Sequence, residues 1–499
     1  MVRFVVIDFA TVSIWGYMTA EEQYRSEKLI TYFLSSLDNL RSLSAAEGRD
    51  VMQLASYTAY HCQDRELQNK SLDLLYYCCF YLKDADIKEL WNIYWILNFC
   101  LFADSNAGIS GNLDELYRFI FTKVLENITD SYERLENPGS NLILMVSSQF
   151  LAFDHAPTRR ILDYSYAIAT SLHKKVMIIN DAGLHIYPCA CLDQSRIFQF
   201  GHAYDQKSTI EYKGLDIPFM QFSGYMPDIY AINEMLRKIY QMQPELVYNI
   251  GGSSLLADAC ALFTKTACFP SSTDIPVSMS KYLLVGRPLD KADQPRLERM
   301  ESYQEIIETV VNYELQESNR PYTRAEFGIP SDCFVIGLVG HRLDSELSNS
   351  FISLMDTTTT QWDVHFLIIG SVYQKDRIKN GVLKHGNLHF AGELEGGSQA
   401  IKLCDIYWNP RRSGGGRSSF EALAQGVPVV TLKSGDVYYT CGDEFGVEAE
   451  EDFLQQSDRY IHDTEYLEAM KTKSIERAAF LSDLPGTQRK ILEQIFQCG

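Results

Sequence analysis

From about Ala20 to Leu135 the apolar positions recur with the period of a helix. In "GNLDELYRFIFTKVLENI", Leu113, Leu116, Tyr117, Ile120, Val124 and Ile128 follow the three, four, seven spacing that gathers side chains on one stripe. Asn112 stands where an N-cap belongs, with Glu115 three residues on. The runs "SLDLLYYCCFYLKD" and "IKELWNIYWILNFCLFAD" are apolar nearly all round, which predicts helices sandwiched between other helices. A bundle is expected, without the fixed-period repeat of a solenoid. Ahead of it, "MVRFVVIDFATVSIWGY" reads as a buried strand and a turn.

After the turn cluster "NPGSN" the period changes. "LILMVSSQF" is a short strand, "HAPTRRILDYSYAIATSLHK" a helix with Pro157 near its start, and "KVMIIN" another strand, together a βαβ unit. The alternation continues through "IPFMQF", "DIYAINEMLRKIYQMQ", "LVYNIGG" and "SLLADACALFT". The polar stretch "RPLDKADQPRLERM" then separates a second block. There "CFVIGLVGH", "VHFLIIG", "NLHFAG", "DIYWNP" and "VPVVTL" read as strands and "FISLMDTTTTQ" as a helix. Strands alternating with helices build parallel sheets covered on both faces. The expected fold is α/β: two doubly wound, Rossmann-like domains over residues 139–325 and 326–499, preceded by a helical domain over 1–138. The last helix is a candidate to cross back to the earlier domain.

Composition narrows the function. The 499 residues carry 45 basic and 65 acidic side chains, a net charge of −20, which disfavours long nucleic acids and anionic membranes as partners. Twelve cysteines fall without a recurring C-x-x-C pair, so neither a zinc site nor a disulfide framework is signalled, and reduced thiols fit a cytoplasmic protein. No apolar run approaches the roughly 20 residues of a membrane span. Asn127-Ile-Thr129 matches a glycosylation acceptor but would be inert in the cytosol.

The chemistry concentrates in "NPRRSGGGRSSFEALAQGVPVVTL", Asn409 to Leu432. A strand ends at Pro410, and a helix is expected from about Ser418 to Gln425, stopped by Gly426 and Pro428. Glycines at a strand's carboxyl end and a helix N-terminus expose backbone N–H groups and the positive end of the helix dipole, an anion site. Gly414, Gly415 and Gly416 permit close approach of a ligand to the backbone. Arg417, Ser418 and Ser419 would add charge and hydroxyl donors. One turn further in, Glu421 could accept two hydrogen bonds from a vicinal diol. Diphosphate above and ribose below describe a nucleotide. The bland alternative is a glycine-rich surface loop, and neither common nucleotide fingerprint is present.

"GGGRSSFEALAQGVPVVTL", preceded by "LHFAGELEGGSQAIKLCDIYWNP", resembles the donor-binding C-terminal domain of GT-B glycosyltransferases of group 1. The likeness covers about Phe334 to Phe453 well and Leu142 to Ile275 in pattern. It implies that Glu421 holds the donor ribose, that Gly415, Gly416, Arg417 and Ser418 hold its diphosphate, and that Arg342 in "VIGLVGHRLDSEL" neutralises the leaving group. Many retaining members carry a second glutamate eight residues before the ribose-binding one, where this chain has Ser413. The segment also resembles the "GGTTS…D" turn of inverting protein O-GlcNAc transferases, so the anomeric outcome stays open. The implied chemistry needs no metal and no cofactor beyond the nucleotide-sugar co-substrate, a UDP-sugar being preferred.

On the acceptor side, "SSQFLAFDHAPTRR" delivers Asp154 and His155 to a helix start. His155 is a candidate to take the acceptor proton or a capping residue, and His202 in "FGHAYD" is a second candidate. Gly252 and Ser253 in "YNIGGSSLLAD" read either as an anion nest or as a tight turn with Ser253 as cap. The leading expectation is a glycosyltransferase with a macromolecular acceptor, for instance a protein, and the helical domain is also a candidate surface for self-association. A GT-B-like scaffold without turnover and a sugar-nucleotide epimerase remain alternatives.

Overall fold

The computed structural model describes residues 18–82, 85–103, 107–136, 138–153, 155–186, 200–315, 320–394, 397–412 and 414–497. The strand expected within the first 17 residues lies outside them. Long helices Ala20–Ser35, Ala45–His61, Arg65–Tyr81, Ile87–Ala103 and Leu113–Leu125 build the N-terminal bundle. Local chemistry sets their starts: Thr19 with Glu22 and Ser44 with Glu47 close capping boxes, and Asp64 accepts from Leu67 N at 3.0 Å. Asn112 caps the helix Leu113–Leu125 as expected, through Asp114 N at 2.9 Å. Glu115, however, accepts from Tyr76 OH at 2.9 Å, because the Tyr76 ring lies against Gly111, where a Cβ would come within 2.2 Å of it.

Strands β1 (Leu142–Ser147), β2 (Lys175–Asn180), β3 (Thr209–Tyr212), β4 (Leu215–Gln221), β5 (Leu246–Gly251), β6 (Lys265–Pro270), β7 (Tyr282–Val285) and β8 (Glu305–Glu308) form one sheet in the order β3-β4-β2-β1-β5-β6-β7-β8. All its pairings are parallel except the β3–β4 edge hairpin. Strands β9 (Phe334–Val339), β10 (Val364–Ile369), β11 (Leu388–Gly392), β12 (Ile406–Asn409), β13 (Val429–Leu432) and β14 (Gly446–Val447) form a second, wholly parallel sheet ordered β11-β10-β9-β12-β13-β14. The two doubly wound sheets and the helical region match the expected fold class. The polar stretch around Lys291 does not separate them: the chain passes through it and returns to add β8 to the first sheet. Its charges cancel locally, Arg287 gripping Asp293 through two hydrogen bonds of 2.7 and 2.6 Å, both side chains buried.

The bundle is not a separate body. Leu144, Val146, Ile179 and Val247 on one face of the first sheet share a core with Trp91, Tyr94, Leu97, Tyr117 and Ile120. The opposite face, including Ile143, Met145, Ile178 and Tyr248, packs on Ile161 and Ile168 of the helix Ala156–Ser171 and on Ile491, Leu492 and Ile495 of the last helix, Leu484–Gln497. That last helix thus lies on the first sheet, with Lys265 Nζ bonded to Ile495 O at 3.0 Å. The two connections between the sheets touch, Asn312 Nδ2 and Tyr313 N both donating to Leu481 O at 3.0 and 3.2 Å.

Buried hydrogen bonds fix the bundle to the first sheet. Trp91 Nε1 donates to Gly183 O at 2.7 Å, and Tyr117 OH to Asp258 Oδ2 at 2.6 Å. Asp258 also accepts from Ser278 Oγ, Ser280 Oγ and Met279 N at 2.6, 2.7 and 2.7 Å, the donor set a buried carboxylate requires. Tyr117→Phe, which removes one of these donors, is expected to lower stability by about 1–3 kcal/mol in urea unfolding, against no measurable change for the exposed control Tyr230→Phe.

Asp181, at the end of β2, accepts from Gly183 N at 2.9 Å, and burial lifts its pKa to about 6. The unfolded chain therefore ionises Asp181 first. Between about pH 4 and 6 it binds fewer protons than the folded protein, and rising pH favours unfolding. The stabilisation is complete below pH 4 and lost by pH 6, about 3 kcal/mol in all. Urea titrations of wild type and Asp181→Asn across this window are expected to differ in slope in that sense; parallel curves would refute it.

Candidate active site

Each doubly wound sheet has one point where the strand order reverses. In the second sheet the chain runs β9, β10, β11 to one side and then returns to β12 beside β9. In the first the reversal lies between β1 and β5. Ligands of such sheets sit beyond the carboxyl ends of the strands flanking that point. The two carboxyl edges approach one another: Thr273, following β6, donates from N and Oγ1 to Asp436 Oδ1, in the helix after β13, at 2.9 and 2.6 Å.

The glycine run lies at the β9/β12 reversal. Gly414 and Gly415 have φ of +78° and +91°, left-handed values that favour glycine. They let the chain turn directly into the helix Gly416–Ala424, which no side chain caps. Its first-turn amides therefore receive no side-chain cap. The helix starts two residues before the expected Ser418. Ser413 lies outside the described residues.

Several expected ligand contacts are otherwise engaged. A Cβ on Gly415 would meet Arg412 Nε at 2.8 Å, and one on Gly416 would meet Tyr313 OH at 2.4 Å, so protein side chains already fill that side of the backbone. Ser418 Oγ donates to Gly415 O at 2.9 Å, and the fully buried Ser419 donates to Gly416 O at 2.8 Å. Both hydroxyls bond back along their own helix, as serines readily do.

Arg417 and Glu421 do face each other across one turn, Nε to Oε1 at 3.4 Å. Burial pushes the Glu421 carboxyl above its usual range, opposed by Arg417 and by Arg159 of the first-sheet helix Ala156–Ser171. Burial likewise lowers the Arg417 guanidinium, which also donates to Glu314 O at 3.2 Å. This helix face thus looks across the cleft.

Residues 336–463 match the family model for Glycosyl transferases group 1. That stretch is a glycosyltransferase domain. No protein of curated function matches the chain. Among solved structures, an O-GlcNAc transferase mutant from Thermobaculum terrenum aligns over 95% of this chain and 86% of its own, at 12% identity and a TM-score of 0.52. A glycosyltransferase from Rickettsia africae aligns over 71% and 98%, at 14% identity and a TM-score of 0.52. At such identities the likeness is one of fold, that of GT-B glycosyltransferases.

Inside the glycosyltransferase domain, Arg412 forms a hub that the sequence reading missed. Its guanidinium donates to Val339 O, Asn409 Oδ1, Tyr407 OH and Glu346 Oε2 at 2.8, 2.8, 2.6 and 3.2 Å, joining the ends of β9 and β12. The other Glu346 oxygen accepts from Arg342 Nε at 3.1 Å. Arg342 therefore stands at the carboxyl end of β9 where expected, oriented by a buried carboxylate that Arg412 holds.

On the first sheet, His155 occupies the N-cap position of Ala156–Ser171, its Nδ1 3.1 Å from Thr158 Oγ1, while Asp154 lies outside the described residues. His202 is largely exposed and bonds Asp205 Oδ2 through Nδ1 at 3.1 Å. Gly252 has φ of +126° and open space where a Cβ would stand. Ser253 is committed: its hydroxyl donates to Val277 O at 2.7 Å and accepts from Tyr94 of the bundle at 2.5 Å. The cap of the following helix is Ser254, not Ser253, accepting from Ala257 N at 3.0 Å.

Proposed function

We propose that the protein transfers a sugar from a nucleotide-sugar, with a UDP-sugar preferred, to a macromolecular acceptor such as a protein, without a metal ion. The observation that carries the reading is the half-buried Arg417–Glu421 pair on a helix whose uncapped start lies at the reversal point of the second sheet. The carboxylate suits a ribose diol, and the free amides and Arg342 suit a diphosphate. As the sugar departs, negative charge collects on the β-phosphate, and donors already fixed in position stabilise it without reorganising.

In this reading the first sheet supplies the acceptor side, with His155 as candidate base and Gly252 leaving open space at the end of β5. The bundle, bonded at Gly183 and Ser253, forms a fixed wall along the same carboxyl edge, which suits a large acceptor. The Thermobaculum terrenum protein, an O-GlcNAc transferase by name, shares the fold over a span that includes the helical region.

Purified protein incubated with a panel of nucleotide sugars is expected to hydrolyse one of them slowly without acceptor. Interconversion of free nucleotide sugars would point to an epimerase. Failure to bind any nucleoside diphosphate would point to a scaffold.

A further inference from the structure

The first turn of the helix Ala156–Ser171 carries a guanidinium that the fold meets only in part: it pairs with Asp163 by charge, but its Nε makes no hydrogen bond among the described residues. Arg159 is 9% exposed, and its Nε is closed off from solvent with no hydrogen-bond partner among the described residues. The carboxylate it faces, Asp163, has Oδ2 at 3.8 Å from Nε, too far for a hydrogen bond. Asp163 Oδ1 is already engaged, accepting from Tyr212 OH at 2.6 Å and from Lys213 Nζ at 3.1 Å.

A guanidinium has five donors in a planar fork, and burying it without acceptors is costly. Such an orphan in a folded protein calls for a ligand that completes it. The ligand must be an acceptor of hydrogen bonds, and two arginines at helix starts point to an anion despite the neighbouring Asp163. Arg159 sits in the first turn of its helix and Arg417 in the first turn of Gly416–Ala424, so each is at the positive end of a helix dipole. The two belong to opposite sheets, yet a chain of contacts joins them: Asp163, beside Arg159, accepts from Lys213 Nζ at 3.1 Å, Lys213 also bonds the Glu314 carboxylate, and Arg417 donates to Glu314 O at 3.2 Å.

We propose that Arg159 is the first-sheet half of a divided diphosphate site, gripping the β-phosphate of a nucleoside diphosphate together with Arg417 and the free amides of the glycine helix. The proposal rests on the nucleotide-sugar reading and extends it across the cleft: the donor's terminal phosphate ties the two sheets together. A planar fork matches two phosphate oxygens at once, which a lysine ammonium does not reproduce.

The test is calorimetric titration of the full-length protein with UDP, GDP and ADP and the matching monophosphates, for wild type, Arg159→Gln and Arg159→Lys, with unfolding midpoints measured without ligand. Wild type is expected to prefer one diphosphate over its monophosphate. Arg159→Gln should weaken that diphosphate at least tenfold and leave the monophosphate within about twofold, with Arg159→Lys recovering only part of the loss. Its ligand-free midpoint should hold, since Asp163 keeps Tyr212 and Lys213 as partners when Arg159 is replaced. A lower midpoint with unchanged diphosphate affinity would make Arg159 a structural partner of Asp163 and overturn the proposal. Unchanged diphosphate affinity with a raised acceptor KM would assign the cation to an acceptor anion and overturn it too. Wild type that binds none of the three diphosphates would defeat the nucleotide reading itself, and the proposal with it.

Discussion

Arg412→Ala is expected to destabilise the glycosyltransferase domain by about 3 kcal/mol, the cost of breaking a buried ion pair whose carboxylate, Glu346, is left with Arg342 alone at 3.1 Å. The Arg412 side chain is 4% exposed and that of Glu346 8%, so neither charge can turn to water when the other is lost. The substitution also leaves Val339 O, Asn409 Oδ1 and Tyr407 OH without their shared donor. Urea unfolding followed through the buried Trp408 reads the effect in the right core. Arg412→Met with Glu346→Leu should recover much of the loss, because a paired apolar replacement removes both charges together. A single-variant cost under about 1 kcal/mol would mean that the hub does not hold β9 to β12.

Glu421→Ala should act in the opposite sense on stability and strongly on binding. Burial raises the Glu421 pKa, so the folded state favours its protonated form. The stability it contributes is complete below the unfolded value near 4.5 and is lost as pH rises through the raised value. At neutral pH the ionised group is a desolvated charge only partly offset by Arg417, and its removal should leave the ligand-free unfolding midpoint unchanged or higher. Donor affinity should fall about a hundredfold, near 3 kcal/mol, as expected when a charged acceptor of two hydrogen bonds is removed. Calorimetry with the nucleoside diphosphate that wild type binds measures the affinity, and a thermal scan measures the midpoint. A fall in midpoint with intact affinity would make Glu421 a structural residue.

Most of the sheet strands could be read from the chain because each is a short apolar run bounded by turn residues. β1, β2, β4, β5 and β9 to β13 all coincide with such runs. β7 and β8 flank a charged stretch whose neutralisation by Arg287 and Asp293 is invisible in one dimension, so that stretch reads as a linker rather than as part of the first sheet. The glycine helix and Glu421 were legible because their geometry is local. Arg412 was not: an arginine in a "PRR" turn looks solvated, and its acceptors come from residues 339, 346, 407 and 409. Arg159 escaped notice for a related reason, since nothing in "PTRRIL" reveals that one of two adjacent arginines is left without an acceptor. Ser253 and Ser419 looked available as donors, and the fold had already given their hydroxyls partners.

The meeting of both inter-sheet connections at Leu481 governs how the cleft can open. Asn312 and Tyr313 on one connection bond the carbonyl that ends the other, so the two act as a single hinge line. Rotation about it would keep that carbonyl bonded while parting Thr273 from Asp436 and Asp290 from Tyr439. The bundle, cored into the first sheet, and the last helix, packed on its far face, travel with that sheet as one lever. A swing of the two halves about that line would open the cleft to a ligand without unfolding any described segment of the chain.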